Sequence, residues 1–430
     1  MALLSDLWRR RGHTPAFVVL SLGTVLVLLG HPLVDAHLRG TGIATEFRYY
    51  DFGAYRGAVD AWLDGEPIYV EADDGGYHGS YLYPPVVLLL FYPFVEFSHE
   101  TSAILWGAFS ILLLWIGLQA VVSALGRSLG VVDRLLGLLL LVGFQPVLFD
   151  FKMGQISTFL AAMLCFAFYA FERGRSHDAN VVARLASGAF TTLGSAVKLF
   201  YATSGAHLLR DRVRLLGAFG TLAALAVLSL SIFGVETHRA YLDVLLWGKG
   251  WGEESRSPTL WAPAYYRPFY VLGDWGMAVR IVGVLGVIAL TLAARSADVG
   301  RETFALGVAA IPLFAPRAYT QDFVVLLLPA VVLLALELRR ARGRPWIPVL
   351  AVLLLHWHAY GLYVLVTLPE WVPLAETIVE HAGWLQPGLW GTLLLVGLAA
   401  VRVGQGVTVP DRLRPARLAD RARSPSDSGT

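Results

Sequence analysis

The chain has 430 residues, of which 56% are hydrophobic and 15% charged, against about a quarter charged in an ordinary soluble domain. That balance excludes a soluble enzyme, and a net charge of only +2 excludes the broad basic field of a nucleic-acid-binding protein. The single cysteine, Cys165, rules out an internal disulfide. The apolar residues gather into runs such as 16–30, 103–122, 216–233, 277–294 and 323–338, close to the ~20 residues needed to cross a bilayer. The expected fold is an all-α integral membrane protein with about 12 transmembrane helices.

In chain order, the run 16–30 follows Arg9, Arg10 and Arg11 and leads into His31-Pro32-Leu33 rather than a small-residue cleavage site, so it reads as a retained first span. Further spans are expected near 84–97, 101–125, 135–150, 155–172, 185–209, 213–234, 276–295, 303–316, 322–338, 345–367 and 388–403. Residues 84–125 are too long for one crossing, and one element there reads as re-entrant. Arginines concentrate between alternate spans, at Arg127 and Arg134, Arg173 and Arg175, Arg210 to Arg214, Arg295 and Arg301, and Arg339 to Arg344. By the positive-inside rule these loops and both termini are cytoplasmic. The transmembrane domain is then 1–403, followed by an Arg-, Pro- and Ser-rich tail, 404–430, expected to be disordered at the cytoplasmic leaflet. Two outer loops, 34–83 and 235–275, are too long to be simple connectors; a third, 369–387, is shorter.

The first outer loop carries Phe52, Tyr55, Val59, Trp62 and Leu63 at three- and four-residue steps, then Gly65. That spacing predicts an amphipathic helix lying at the membrane surface. Asp51 stands just before it. A structural role as helix N-cap and a chemical role as a carboxylate base are both open at this point. The loop closes on Tyr83-Pro84-Pro85, where proline suits the first helical turn.

Of 34 Lys and Arg residues only three are lysine, Lys152, Lys198 and Lys249, and none falls in the arginine-rich loops. Lys198 lies in the apolar stretch Leu193–Tyr201, so 185–209 is either one span interrupted by a charge or two short half-helices. A charge inside a span costs about 2.5–3.5 kcal/mol on insertion scales, so Lys198 is either a functional cation suited to phosphate or a snorkelling side chain. Between two late spans lies Pro316-Arg317-Ala318-Tyr319-Thr320-Gln321-Asp322, where Arg317 could clamp a phosphate or be an ordinary interfacial arginine. Trp247, Trp251, Trp261, Tyr265 and Tyr266 in the second outer loop fit an interfacial belt or a stacking surface for a sugar. No phosphate-binding glycine loop, dinucleotide motif or metal-ligand cluster is present in the sequence, so no cofactor or metal is expected.

Taken in order, Asp51 with Tyr55 and Ala58, Gly65 followed by Tyr69, Tyr83-Pro84-Pro85, Gly154-Gln155, Gly188 through Lys198 and the Pro316 turn resemble the polytopic glycosyltransferases of family 87, the polyprenyl-phosphate-mannose-dependent group, over roughly residues 45–335. The sequence departs from that pattern after Gln155, where Ile156-Ser157 stands in place of an asparagine-containing pair. It departs again at Ala315 to Asp322, which lacks the usual Trp and His. The resemblance implies a membrane hexosyltransferase moving a sugar, mannose by analogy, from a polyprenyl-phosphate carrier to a glycan or glycolipid acceptor. Catalysis is expected on the non-cytoplasmic face of the cell membrane, in contact with membrane lipids and not with nucleic acid. It implies Asp51 as catalytic base, with Tyr55, Tyr83, Gln155 and Lys198 on the substrate, and Arg317, Tyr319, Gln321 and Asp322 supplied by the late turn. A transporter or lipid flippase would account for the spans and for Lys198 but not for the long aromatic outer loops; a non-catalytic scaffold is the third reading.

Overall fold

A computed structural model describes residues 15–42, 44, 46–71, 76–77, 81–175, 180–250, 265–266, 269, 272–273, 275–294, 297–315, 318–366, 371–373, 377 and 385–407. Most of the third outer loop and residues 408–430 of the tail lie outside them, as do Trp251, Trp261, Pro316 and Arg317. The chain is built of helices: α1 (Pro15–Gly40), α2 (Tyr50–Asp64), α3 (His99–Ala124), α4 (Val131–Gly143), α5 (Gln145–Met153), α6 (Ser157–Arg173), α7 (Val181–Ser195), α8 (Arg212–Gly250), α9 (Trp275–Ala293), α10 (Gly300–Phe314), α11 (Leu327–Glu337), α12 (Trp346–Val366) and α13 (Pro387–Gly404). Two short strands, β1 (Tyr265–Tyr266) and β2 (Ala318–Tyr319), pair antiparallel, Tyr265 opposite Tyr319.

Six helices among the described residues are long and apolar enough to cross a membrane: α1, α3, α8, α9, α13 and the run Thr320–Glu337 that ends in α11. A seventh crossing results if α4 and α5, bent by 63° at their joint, count as one broken span. At 1.5 Å per residue, the 26 residues of α1 cover roughly 39 Å, enough for a ~30 Å hydrocarbon core. Their outward faces are apolar and exposed, for example Leu216, Phe219, Leu222 and Val227 of α8. An exposed apolar face of that size is costly in water and favourable against lipid, where a helix satisfies its own backbone hydrogen bonds.

The buried centre is made by α6 and α10. Phe168, Leu164 and Leu160 of α6 and Phe304, Val308 and Ile311 of α10 are fully enclosed. Helices α3 and α7 flank α6. At the α7–α8 crossing, Gly188 and Gly217 bring the two backbones close enough that a Cβ on either would collide with the opposite main chain, the small-residue packing favoured between membrane helices.

Residues 84–97 and 235–250 differ from the sequence reading, and 185–209 takes one of the two forms it left open. Residues 84–97 form two 3-10 turns, Pro85–Leu90 and Tyr92–Phe94, whose ~2.0 Å rise per residue makes them too short to cross. The stretch 185–209 adopts the two-piece alternative: α7 ends at Ser195, Lys198 is extended (φ −122, ψ 112), and a 3-10 helix runs Leu199–Arg210. Residues 235–250, read as the start of the second outer loop, continue α8 as helix beyond a break at Gly234 (φ 74, ψ 172).

Candidate active site

The site grows from the joint between α5 and α6. Helix α5 ends at Gly154, whose φ of 69 is left-handed. A Cβ there would sit 2.5 Å from the Cβ of Phe52. Glycine at this position therefore serves two purposes at once: it turns the chain, and it lets the first turn of α2 lie directly on the joint. On the α2 side the chain enters through Tyr49, left-handed at φ 50 and ψ 37, the single non-glycine residue with positive φ among those described. Such a conformation costs an L-residue about 1–2 kcal/mol. Tyr49 N donates to the carbonyl of Lys152 at 3.0 Å, and the Tyr49 carbonyl accepts from Gly53 N at 2.9 Å.

Helix α2 buries Phe52, Tyr55, Ala58 and Val59 and stops at Gly65 (φ 75). Trp62 is half-buried against Phe233 and Tyr92, while Leu63 points to solvent or lipid. Asp51 is not the residue that caps this helix. The cap position is Tyr49, with no side-chain cap bond, and Asp51 lies within the first turn. Its carboxylate faces the side-chain amide of Gln155.

Gln155 organises that corner. Its Oε1 accepts from the Tyr55 hydroxyl (3.0 Å), the Tyr83 hydroxyl (3.4 Å) and Ile156 N (3.0 Å). Its backbone carbonyl accepts from Trp106 Nε1 at 3.0 Å. With Oε1 used in this way, the amide NH2 is the group left to donate to Asp51. Burial raises the Asp51 pKa above the ordinary carboxylate value. The Gln155 donor and the positive charge of Lys198 act the other way, and Asp322 adds to the rise.

Lys198 anchors the second half. Its Nζ donates to Asp322 Oδ1 (2.7 Å) and Ser157 Oγ (2.8 Å). Asp322 Oδ1 also accepts from Ser157 Oγ (3.0 Å) and Tyr201 OH (3.1 Å), and its Oδ2 accepts from Tyr319 N (3.0 Å). Asp150, enclosed in α5, takes Thr158 N on Oδ2 at 3.2 Å, while its Oδ1 has no hydrogen-bond partner. One ammonium thus stands among three aspartates, Asp51, Asp150 and Asp322. Hydrogen bonds and ion pairs in an interior of this kind are strong only where the geometry is fully met. The arrangement can hold a negative group beside Lys198 and take up a proton at Asp51.

Of the residues singled out in the sequence, Asp51, Tyr55, Tyr83, Gln155, Lys198 and Asp322 converge. Tyr319 takes part through its backbone nitrogen. Gln321 is buried with its Oε1 unpartnered. Arg317 lies outside the described residues, but the β1–β2 pairing brings the end of the second outer loop to its neighbours Ala318 and Tyr319. Ser157, Tyr201 and Asp150 were not anticipated. Asp150, a carboxylate in an apolar run, carried the same signal as Lys198; Ser157 and Tyr201 carried none. Among the described residues no group of three or more His, Cys, Asp or Glu side chains is arranged to hold a metal ion.

A helical membrane protein with an enclosed, mixed-charge polar centre beside a non-spanning helix is the class defined by these features. The family model described as Glycosyltransferase family 87 matches residues 81–316, which is 236 of 430 residues and more than half of the chain. The protein belongs to glycosyltransferase family 87. The matched region includes Tyr83, Gln155 and Lys198 and excludes Asp51 and Asp322. No curated protein matches the chain. Among solved structures, the chain is similar to ArnT from Cupriavidus metallidurans in the apo state, at 17% identity over 91% of this chain and 77% of that one, with a TM-score of 0.36. It is likewise similar to the same protein bound to undecaprenyl phosphate, at 14% identity over 92% and 78%, also at 0.36.

Proposed function

We propose that the protein is an inverting hexosyltransferase that moves mannose from a polyprenyl monophosphate to a glycan or glycolipid acceptor on the non-cytoplasmic face of the membrane. The observation that carries this reading is the convergence of Asp51, Gln155, Lys198 and Asp322, from four distant parts of the chain, on one enclosed centre at the start of a non-spanning helix. Helix α2 lies along the membrane surface, where a lipid-borne donor and a water-borne acceptor meet. The arginine distribution supports a topology with both termini in the cytoplasm and this centre outside.

In the reaction, the acceptor hydroxyl oxygen forms a bond to the anomeric carbon of the sugar while the bond from that carbon to the phosphate oxygen breaks. The hydroxyl proton passes to the Asp51 carboxylate. The bonding pair leaves with the polyprenyl phosphate, whose growing charge is met by Lys198 and Arg317. Because Lys198 is already paired with Asp322, its ammonium is oriented before donor arrives and does not have to reorganise as charge develops. Tyr55, Tyr83, Gln321 and the backbone around Tyr319 would contact the sugar or the phosphate.

The test is transfer of radiolabelled mannose from a polyprenyl-phosphate donor by purified protein in detergent, beside Asp51→Asn. Label should reach an acceptor only with the wild-type enzyme. Movement of the lipid across a vesicle bilayer, unaffected by Asp51→Asn and with no transfer of sugar, would identify a flippase instead.

A further inference from the structure

A second buried ion pair lies beside the site and has no part in the chemistry above. Lys152, in the last turn of α5, and Asp35, near the end of α1, are both 3% exposed, and their charged atoms are 2.6 Å apart. Asp35 is held from two further directions, and the second of these partners is itself held by His31. Arg39 Nε binds its Oδ2 at 3.0 Å, the Tyr360 hydroxyl approaches its Oδ1 at 3.4 Å, and that hydroxyl is 3.1 Å from His31 Nε2. The pair therefore ties α5 to α1 and α12.

Lys152 also holds the chain that leads into α2. Its carbonyl accepts from Arg48 N (3.4 Å) and Tyr49 N (3.0 Å), and its ammonium lies 5.4 Å from the centroid of the Phe47 ring, against which the Arg39 guanidinium also packs, 4.7 Å from that centroid. Side chain and main chain of one residue thus grip residues 47–49. Tyr49 is the strained, left-handed residue, and Asp51 follows two positions later. Backbone strain of this kind persists only where surrounding contacts over-determine it, and it clusters at functional sites. A buried ion pair is weak support for stability as such, since desolvation offsets much of the Coulomb attraction; what it enforces well is a single geometry.

We propose that Lys152 and Asp35 are positioning residues: their ion pair fixes the last turn of α5, and through the Lys152 carbonyl fixes the left-handed turn at Tyr49 that aims Asp51 at Gln155. This rests on Asp51 being the base. The pair touches no substrate and acts through the start of α2 alone.

The experiment compares Lys152→Met, Lys152→Arg and Asp35→Asn in purified protein, reading kcat, donor KM and the acid limb of the pH–rate profile. A misplacement of about 1 Å at a reacting group lowers the rate by about 10²-fold. Lys152→Met and Asp35→Asn should therefore lower kcat by roughly one to two orders of magnitude with little change in donor KM. Their acid limb should move down toward that of an ordinary carboxylate, because Asp51 is released from its enclosed position while Gln155, Lys198 and Asp322 are unaltered. Lys152→Arg, which keeps the charge, should restore most of the rate. In an Asp51→Asn background, Lys152→Met should add no further loss.

A purely structural role predicts less folded protein with wild-type kcat per folded molecule and an unmoved acid limb, and that result overturns the proposal. If Lys152→Met does not accumulate, the near-isosteric Asp35→Asn decides in the same way. A fully active Asp51→Asn enzyme would overturn the assignment of the base itself. An inactive Asp51→Asn beside unaffected Lys152→Met and Asp35→Asn would overturn the positioning role alone.

Discussion

The run Thr320–Glu337 carries a buried carboxylate at each end, and the two ends are built differently. At the Glu337 end every acceptor position is taken by arginine or backbone: Arg402 binds both oxygens at 2.8 and 2.6 Å, Arg340 binds Oε1 at 2.8 Å, and Arg344 N binds Oε2 at 2.7 Å. Arg340 continues to Glu302, and Arg301 joins Glu172 of α6 to α10. At the Asp322 end the cation is a lysine, the partners are hydroxyls of Ser157 and Tyr201, and two further aspartates stand near with Asp150 Oδ1 and Gln321 Oε1 unpartnered. Planar guanidinium forks close a network onto itself and lock helices together, whereas a compact ammonium leaves directions open. The Glu337 carboxylate is saturated and acts as a fastening, with an unpartnered oxygen only further along its network at Glu302, whereas around Asp322 the unspent polar atoms of Asp150 and Gln321 lie beside the ammonium itself.

That contrast breaks first at Asp51. Asp51→Asn should lower turnover by about 10²–10⁴-fold, the usual contribution of a positioned base, with expression unchanged. Stability should hold or rise slightly. Because burial raises the pKa of Asp51 in the folded protein, its ionised form at neutral pH is disfavoured by folding, and asparagine removes that cost. Turnover measured beside thermal unfolding in detergent checks both signs; an active variant would refute the role.

Glu337→Gln should do the opposite. Removing the charge strands Arg402, while Arg340 keeps Glu302; this costs roughly 3 kcal/mol of stability, while kcat per folded molecule stays at the wild-type value. A drop in kcat at full folding would erase the distinction between the two ends.

Lys198→Ala should weaken binding of a polyprenyl phosphate by about 1.5–3 kcal/mol, the range of a charge-assisted hydrogen bond. It also strands Asp322. The double variant Lys198→Ala with Asp322→Ala should therefore recover stability without recovering lipid binding, as read by titration of the purified proteins with the lipid. Recovery of both would make the pair a fastening like Glu337.

The smallest effect is in pH. A base must be ionised to act, so the rate is lost as pH falls through the Asp51 pKa. Since that value is raised, the acid limb of kcat/KM should lie above the ordinary carboxylate value of about 3.9. A limb at or below the ordinary value would show Asp51 to be more exposed than the structure has it.

How much of this was legible beforehand depends on the range of the interaction involved. Spans could be read from hydropathy because a bilayer imposes length and apolarity locally, residue by residue. The α2 face could be read because Phe52, Tyr55 and Val59 share one side of a helix whatever lies opposite. Lys198 stood out because a charge among apolar neighbours is conspicuous wherever the chain goes. The resemblance supplied Tyr83, Gln155 and the turn that carries Asp322 as a succession of short motifs, but not Asp150, Ser157 or Tyr201, and none of the contacts between them.

Tertiary structure alone decided three things. Asp51 faces Gln155 rather than capping its own helix, because residues 48–49 are bonded to Lys152 a hundred residues away and Gly154 leaves room for Phe52. Lys198 is paired with Asp322 across 124 positions, and Lys152 with Asp35 across 117. Neither partner could be chosen from sequence, where every aspartate is equally eligible; only the packing of α1, α5, α6 and the Lys198 joint brings one of them within 3 Å. Local chemistry writes which segments enter the membrane, and the contacts between distant segments select which charges meet there.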